Sequence, residues 1–122
     1  MFWWLRRRAG ELFGAPRSGR WPKVRAEAIR RQPFCEACGR AKDLEVHHVI
    51  PVHVAKEIGR PELELDPSNL VVLCGDPCHF VHGHLMSWSR HNPVVREDCR
   101  RYRQQIEAAK PAKAATQPSA ER

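Results

Sequence analysis

Apolar residues recur along this chain with different periods in different stretches, and the changes of period mark out its elements. In "RWPKVRAEAIRRQ", residues 20–32, Val24, Ala28 and Ile29 fall on one narrow helical stripe, and basic residues cover the rest of the surface. Pro22 suits a first helical turn and Pro33 ends the segment, which predicts a short helix over 20–32. Leu44 to Ile50 alternates and is rich in β-favourable residues, and Pro51 closes it as a strand. Residues 52–68, with Gly59, Pro61 and Pro67, read as a longer loop with a helical turn at 53–58. "NLVVLC", residues 69–74, is a second short strand, continuous in its apolarity. Pro77 follows a turn and opens a helix expected from about Cys78 to Trp88. After "HNP", residues 91–93, another helix is expected from Val94 to Lys110.

Outside these elements, Leu5 to Phe13 predicts a short helix that Gly14, Pro16 and Gly19 break. The tail 111–122 offers almost nothing to bury and is expected to be disordered. The fold class is therefore α+β. The expected division is a basic N-terminal segment 1–19, a central domain 20–92, a C-terminal helix 93–110 and the tail 111–122. No internal repeat is found.

With 122 residues the chain is large enough for one domain and a modest core, which a covalent or metal staple would strengthen. Its 21 lysines and arginines exceed its 14 acidic residues, for a formal net charge of +7. That surplus points to polyanions (DNA, RNA or an anionic membrane) as partners, against the plainer alternative of a solvated cationic surface. The opening "MFWWLRRR" has too short an apolar run for a signal-peptide core, and far too short a run to span a bilayer. A cytoplasmic, reducing setting is expected, in which paired cysteines read as metal ligands rather than disulfides.

Four of the five cysteines form two close pairs, Cys35/Cys38 and Cys74/Cys78. Two residues between the first pair let a tight turn aim both sulfurs at one ion, with Gly39 permitting the turn. The three-residue gap of the second pair holds Gly75 and Pro77. A structural Zn²⁺ held by all four thiolates would tie the chain before the first strand to the chain after the second. With every ligand a cysteine, no coordination position is left for water, so such a site is structural rather than catalytic. Cys99 reads as a helix-packing thiol.

The histidines lie between and just after these pairs. "EVHHVIPVH" sets His47 and His48 at the end of the first strand, Asn69 opens the second, and "CHFVHGH" adds His79, His82 and His84. A second metal site beside the cysteines follows as a suspicion. The combination "CEAC", "LEVHHVIPV", "LDPSNLVVLC" and "CHFVHGH" resembles the HNH endonucleases over roughly residues 34–84, and "RWPKVRAEAIRRQPFCEAC" is similar to the basic lead-in before the cysteine knuckle in that family. The resemblance implies a small ββα-metal core stapled by the four-cysteine zinc site, with flanking helices. It implies His47 and His79 as ligands of one divalent catalytic metal (Mg²⁺, Mn²⁺, Ni²⁺ or Zn²⁺), His48 as general base, and Asn69 as the brace of the connecting loop. Some family members add a second helical ligand. His82, one turn from His79, and His84, on that face only if Gly83 distorts the helix, are equal candidates.

Adjacent strand residues face opposite sides, so His47 and His48 reach one site only if the strand twists or ends at the pair. His53 and His91 read as loop and turn residues. For nucleic acid, Arg20, Lys23, Arg25, Arg30 and Arg31 form a phosphate-binding surface. Arg6 to Arg8 and Arg96, Arg100, Arg101 and Arg103 are further candidates. Trp3, Trp4, Trp21 and Trp88 are candidates for stacking on bases, Trp21 and Trp88 more in keeping with core packing. The expectation is a DNA-hydrolysing enzyme of low sequence specificity, monomeric or weakly dimeric, not membrane-bound, possible within a larger phage or mobile-element system. A non-catalytic zinc-knuckle nucleic-acid-binding module is the alternative.

Overall fold

The computed structural model describes residues 17–111. The expected helix at 5–13, Trp3, Trp4, Arg6 to Arg8 and nearly all of the tail lie outside the described residues. The order is helix α1 (Trp21–Arg31), strand β1 (Leu44–His48), helix α2 (Val52–Glu57), two 3-10 turns (Pro61–Glu64 and Pro67–Asn69), strand β2 (Leu70–Cys74), a π-helical turn (His79–Gly83) and helix α3 (Val95–Ala109). The fold is mixed α+β, as the alternation of periods predicts.

The two strands form an antiparallel pair with Leu44 opposite Cys74, Val46 opposite Val72 and His48 opposite Leu70. Strand parity sorts the side chains onto two faces. Val46, Leu70 and Val72 pack under α1, against Trp21, Val24, Ala28 and Ile29. The predicted α1 stripe is thus the one that packs on the sheet, half-buried, with Trp21 added to it. On the opposite face Val71 and Leu73 join Cys35, Ala37, Cys74, Cys78, Val95 and Cys99 in a second cluster that α3 covers. Every residue of β2 is buried, which explains its unbroken apolar run.

The segment between Phe34 and Leu44 is a knuckle. Its ends are closed by Cys35 N–H to Arg40 O (2.7 Å) and Gly39 N–H to Cys35 O (2.9 Å), and Gly39 takes φ of +81°. The knuckle docks on β2 through Glu36 N–H to Val72 O (2.9 Å). The Arg103 guanidinium, reaching across from α3, donates to the carbonyls of Cys35 (2.9 Å) and Glu36 (3.2 Å). Arg96 likewise donates to the carbonyls of Ser68 and Leu70. Both arginines are held by backbone acceptors, because a carbonyl-rich turn lies within their reach.

Residues 49–69 form a compact excursion rather than an open loop. Asn69, buried at its end, accepts from Ile50 N–H (2.8 Å) and donates to the carbonyls of Ile50 and Leu63 (3.0 Å each). One side chain thus closes both ends of the excursion.

The expected helix from Cys78 to Trp88 is replaced by one π-helical turn, closed by His84 N–H to His79 O (3.1 Å). The chain then leaves through Leu85 (φ +53°) and Met86 (φ +65°). The physical reason sits at Gly83, where a Cβ would lie 3.0 Å from His47 Nδ1 and 3.1 Å from His79 Cδ2. Only a residue without a side chain lets the β1 and π-turn imidazoles meet there. Asn92 fixes the exit: it donates to His82 O (2.9 Å) and Asp98 Oδ2 (2.7 Å) and accepts from Val94 N–H (3.0 Å), which starts α3. Among the described residues no helix is long and apolar enough to cross a membrane.

Candidate metal centre

Two groups of side chains converge where the knuckle, β1 and the π-turn meet. In the first, the sulfurs of Cys35, Cys38, Cys74 and Cys78 all lie within 4.8 Å of one another. No disulfide joins them. Cys38 Sγ and Cys74 Sγ are 3.9 Å apart, and Cys38 N–H points at Cys35 Sγ (3.5 Å). A hydrogen bond from Cys78 and further bonds from backbone N–H groups pull the Cys35 thiol down to about 4, against the effect of burial. Cys78 moves the other way, because it keeps the proton that the pair shares. This donor set suits a tetrahedral thiolate site: four soft ligands, three of them buried and Cys38 half-buried, presented from the knuckle and from the end of β2 with the turn after it. The four-cysteine group can therefore hold a metal ion. Cys99 lies buried in the same core, where burial pushes its thiol up to about 12.

The second group is His47, His79 and His84, whose ligand nitrogens also lie within 4.8 Å of one another. His47 Nδ1 and His84 Nε2 are each 3.2 Å from His79 Nε2. The outer nitrogens decide which atoms carry lone pairs inward. His79 Nδ1 donates to the Glu45 carboxylate (2.7 Å), so Nε2 is the nitrogen that faces the centre. His84 Nδ1 donates to the Arg90 carbonyl (2.7 Å), which leaves Nε2 bare. With both Nδ1 atoms donating outward, neutral rings would set two lone pairs against each other at 3.2 Å. Such an arrangement is unfavourable by itself and favourable around a cation. His47 is 3% exposed, and its Nε2 has no hydrogen-bond partner among the described residues. Burial first, then the neighbouring imidazoles, pushes His47 down to about 2, and burial lowers His84 to about 4. His47 and His84 therefore stay neutral at pH 7, as metal ligation requires. The residues present fit a divalent ion bound by imidazole.

The structure separates the two helical candidates. A π-turn closes its hydrogen bond between residues i and i+5, so His84 at i+5 returns to the face of His79. His82 at i+3 turns away, and its ring lies 4.7 Å from that of Tyr102. His82 is not brought to the three-histidine group, because the helix that would have aligned it does not form.

His47 and His48 point to opposite faces of β1, and His48 is the last residue of the strand. The His48 ring stacks on Trp21 at 4.6 Å between centroids, tilted by 33°. Its Nε2 lies 2.9 Å from Glu64 O, and because a carbonyl only accepts, Nε2 carries the hydrogen and Nδ1 the lone pair. Burial lowers His48 to about 4, partly opposed by that hydrogen bond. Glu64 itself is buried and accepts from Ser18 N–H (2.6 Å), which ties the start of α1 to the same spot.

Of the basic residues on α1, Arg30 and Arg31 both pair with Glu27 on the exposed surface. Arg25 reaches the Leu44 carbonyl (3.4 Å), and Arg20 and Lys23 are exposed. His53 is exposed on α2.

Sequence reasoning overlooked Glu45, although the signal was there: it stands two positions before His47, on the same face of the strand. It also overlooked Gly83 as the residue that makes room for two imidazoles. The Arg90 carbonyl that orients His84 carries no side-chain signal at all.

Residues 35–85 match the family model of the HNH endonucleases. No curated protein and no solved structure matches the chain.

Proposed function

On the premise that residues 35–85 form an HNH endonuclease domain, we propose that this protein hydrolyses phosphodiester bonds in DNA, using one divalent metal at His47, His79 and His84 and His48 as general base. The observation that carries the proposal is the convergence of three imidazoles, of which His79 and His84 have their outer nitrogens held by the Glu45 carboxylate and the Arg90 carbonyl, and His47 is buried. Zn²⁺ is the proposed ion of the four-cysteine site, where it holds the knuckle to β2 and keeps His79, next to Cys78, in position.

When bound, the catalytic ion supplies charge stabilisation at the phosphoryl and leaving 3′ oxygens. An all-imidazole donor set favours Mn²⁺, Ni²⁺ or Zn²⁺ over Mg²⁺, which prefers oxygen ligands. His48 takes a proton from the attacking water through Nδ1, while the Glu64 carbonyl holds Nε2–H and so fixes the tautomer. A base lowered to about 4 by burial is neutral but weak, and a nearby phosphate anion raises it toward the working range by favouring the imidazolium. The products carry a 5′-phosphate and a 3′-hydroxyl. Asn69 does not titrate; it braces the excursion whose Glu64 carbonyl orients His48. Arg20, Lys23, Arg25, Arg30 and Arg31 supply phosphate contacts. The exposed pairs to Glu27 contribute little and exchange readily for a phosphate.

Plasmid DNA incubated with Mg²⁺, Mn²⁺, Ni²⁺ or Zn²⁺ tests the proposal. The wild type is expected to cut and His48→Ala to lose at least a hundredfold in rate. Binding of DNA with no cleavage under any of these metals would make the chain a zinc-knuckle binding module instead. Cleavage by His48→Ala at the wild-type rate would remove the base assignment and leave the class standing.

A further inference from the structure

Glu64 is 7% exposed, and the proposed hydrolysis uses its carbonyl but not its carboxylate. Burying an acid costs free energy unless donors or an opposite charge hold it. Here Ser18 N–H donates to Glu64 Oε2 (2.6 Å), and the charges of Glu64 and Arg17 attract each other. Ser18 O in turn accepts from Trp21 N–H (3.0 Å). Trp21 opens α1 and turns its indole onto the His48 ring (4.6 Å between centroids, tilted by 33°). His48 Nε2–H ends on the carbonyl of the same Glu64 (2.9 Å). Trp21, Ser18, Glu64 and His48 therefore form a closed ring, each touching the next and the last touching the first.

This ring does for His48 what its strand cannot do. β1 ends at His48, so no following strand residue packs beside it. Rotation of an imidazole about its Cβ–Cγ bond has broad minima, so the backbone does not set the plane of the ring. The bond to Glu64 O fixes one atom, and the ring can still pivot about it. The indole face removes that pivot, so Nδ1 keeps one direction. A general base acts only within hydrogen-bond reach of the proton, and a misplacement of about 1 Å costs about a hundredfold in rate. We propose that Trp21, together with the Glu64 carboxylate that Ser18 holds, positions His48 for proton abstraction, so that the active site extends into residues 18–21. The inference deepens the nuclease reading and rests on its assignment of His48. Both supports originate before the stretch that matches the family model: Trp21 directly, Ser18 through Glu64. Trp21 and Glu64 are positioning residues, since they act through His48 and not on the phosphate.

The full chain in its metal-loaded form is assayed on labelled duplex DNA, with the four metals of the plasmid assay. Trp21→Leu keeps apolar bulk against Val46, Leu70 and Val72 and removes the flat face. It is expected to lower kcat at least tenfold, less than His48→Ala does, with KM and Ni²⁺ affinity within about twofold of wild type. Trp21→Phe should recover most of the rate. Val24→Ala truncates the same α1 stripe without touching the base and should keep kcat within about threefold. On a His48→Ala background Trp21→Leu should cost nothing further, because there is no base left to position. Glu64→Ala should lower kcat about tenfold, and Glu64→Gln less, since an amide oxygen still accepts from Ser18 N–H. Nitrogen NMR of the Zn²⁺-loaded protein reads the His48 ring without any cleavage. The wild type should show one protonated and one bare nitrogen, and Trp21→Leu a broadened, averaged pair. Equal losses of kcat in Trp21→Leu and Val24→Ala would overturn the proposal, since that pattern belongs to packing alone. So would an added loss on the His48→Ala background, a wild-type rate in Trp21→Leu, or an unchanged His48 spectrum in that variant. Failure of the nuclease reading appears separately, as absence of cleavage by the wild type or a wild-type rate in His48→Ala.

Discussion

Glu45 Oε1 accepts a hydrogen bond of 2.7 Å from His79 Nδ1, and the two side chains come from β1 and the π-turn, 34 positions apart in the chain. The bond directs His79 Nε2 at His47 and His84, and the nearby carboxylate makes that nitrogen a better donor to a cation. Glu45→Ala is expected to weaken Ni²⁺ or Zn²⁺ binding at the histidine site by about 10- to 100-fold. Glu45→Gln, which keeps an oxygen acceptor, should lose less. Isothermal titration of the metal checks the order; equal affinity in all three proteins would show that the bond does not matter to the site.

Gly83 makes a steric prediction. A methyl group there meets His47 Nδ1 at 3.0 Å, His47 Cε1 at 3.1 Å and His79 Cδ2 at 3.1 Å. Gly83→Ala should push these rings apart and abolish metal binding at the histidines, while the four-cysteine site stays loaded. Elemental analysis of the purified variant, after equilibration with Zn²⁺, is expected to find one tightly held ion where the wild type holds two.

His84 and His82 should separate in the same assay. His84 Nε2 faces the group and His82 lies against Tyr102. His84→Ala should lose metal affinity at least tenfold, whereas His82→Ala should bind metal as the wild type does. A loss in His82→Ala alone would mean that the helix is regular rather than π-wound in solution.

Asn69 is a stability prediction. Its amide makes three bonds that close residues 50–69. Asn69→Ala leaves buried backbone groups without partners and should cost about 1–3 kcal/mol in urea unfolding. Asn69→Asp should be worse than a conservative exchange suggests, because a carboxylate then faces the Ile50 and Leu63 carbonyls that the amide nitrogen now satisfies.

Removing metal from the cysteines should affect folding rather than one step of chemistry. Their sulfurs lie within the core that β2 and α3 share. A strong chelator, or Cys74→Ser, is therefore expected to lower the midpoint of thermal unfolding sharply and with it all activity. His47→Ala should remove activity and leave that midpoint nearly unchanged.

Much of this protein is decided by neighbours in the chain, and those parts are legible without coordinates. The stripe Val24, Ala28 and Ile29, the alternation before His47, the unbroken run of β2 and the two cysteine pairs each express a short-range rule of period, turn or ligand spacing. So does the position of Asn69 at the start of β2, where its bonds close the preceding excursion. Tertiary structure decided what depends on the fit of separate segments. Whether residues 79–84 wind as an α- or a π-turn depends on the His47 imidazole arriving from β1 to meet that of His79 over Gly83, and this brings His84 rather than His82 to the group. Arg96 and Arg103 reach backbone carbonyls because α3 lies across those turns. Trp88 is left at the surface because the chain turns out through Leu85 and Met86. Spacing carries information about residues on one element; which side chains meet across elements is set by packing, and packing has no local signature.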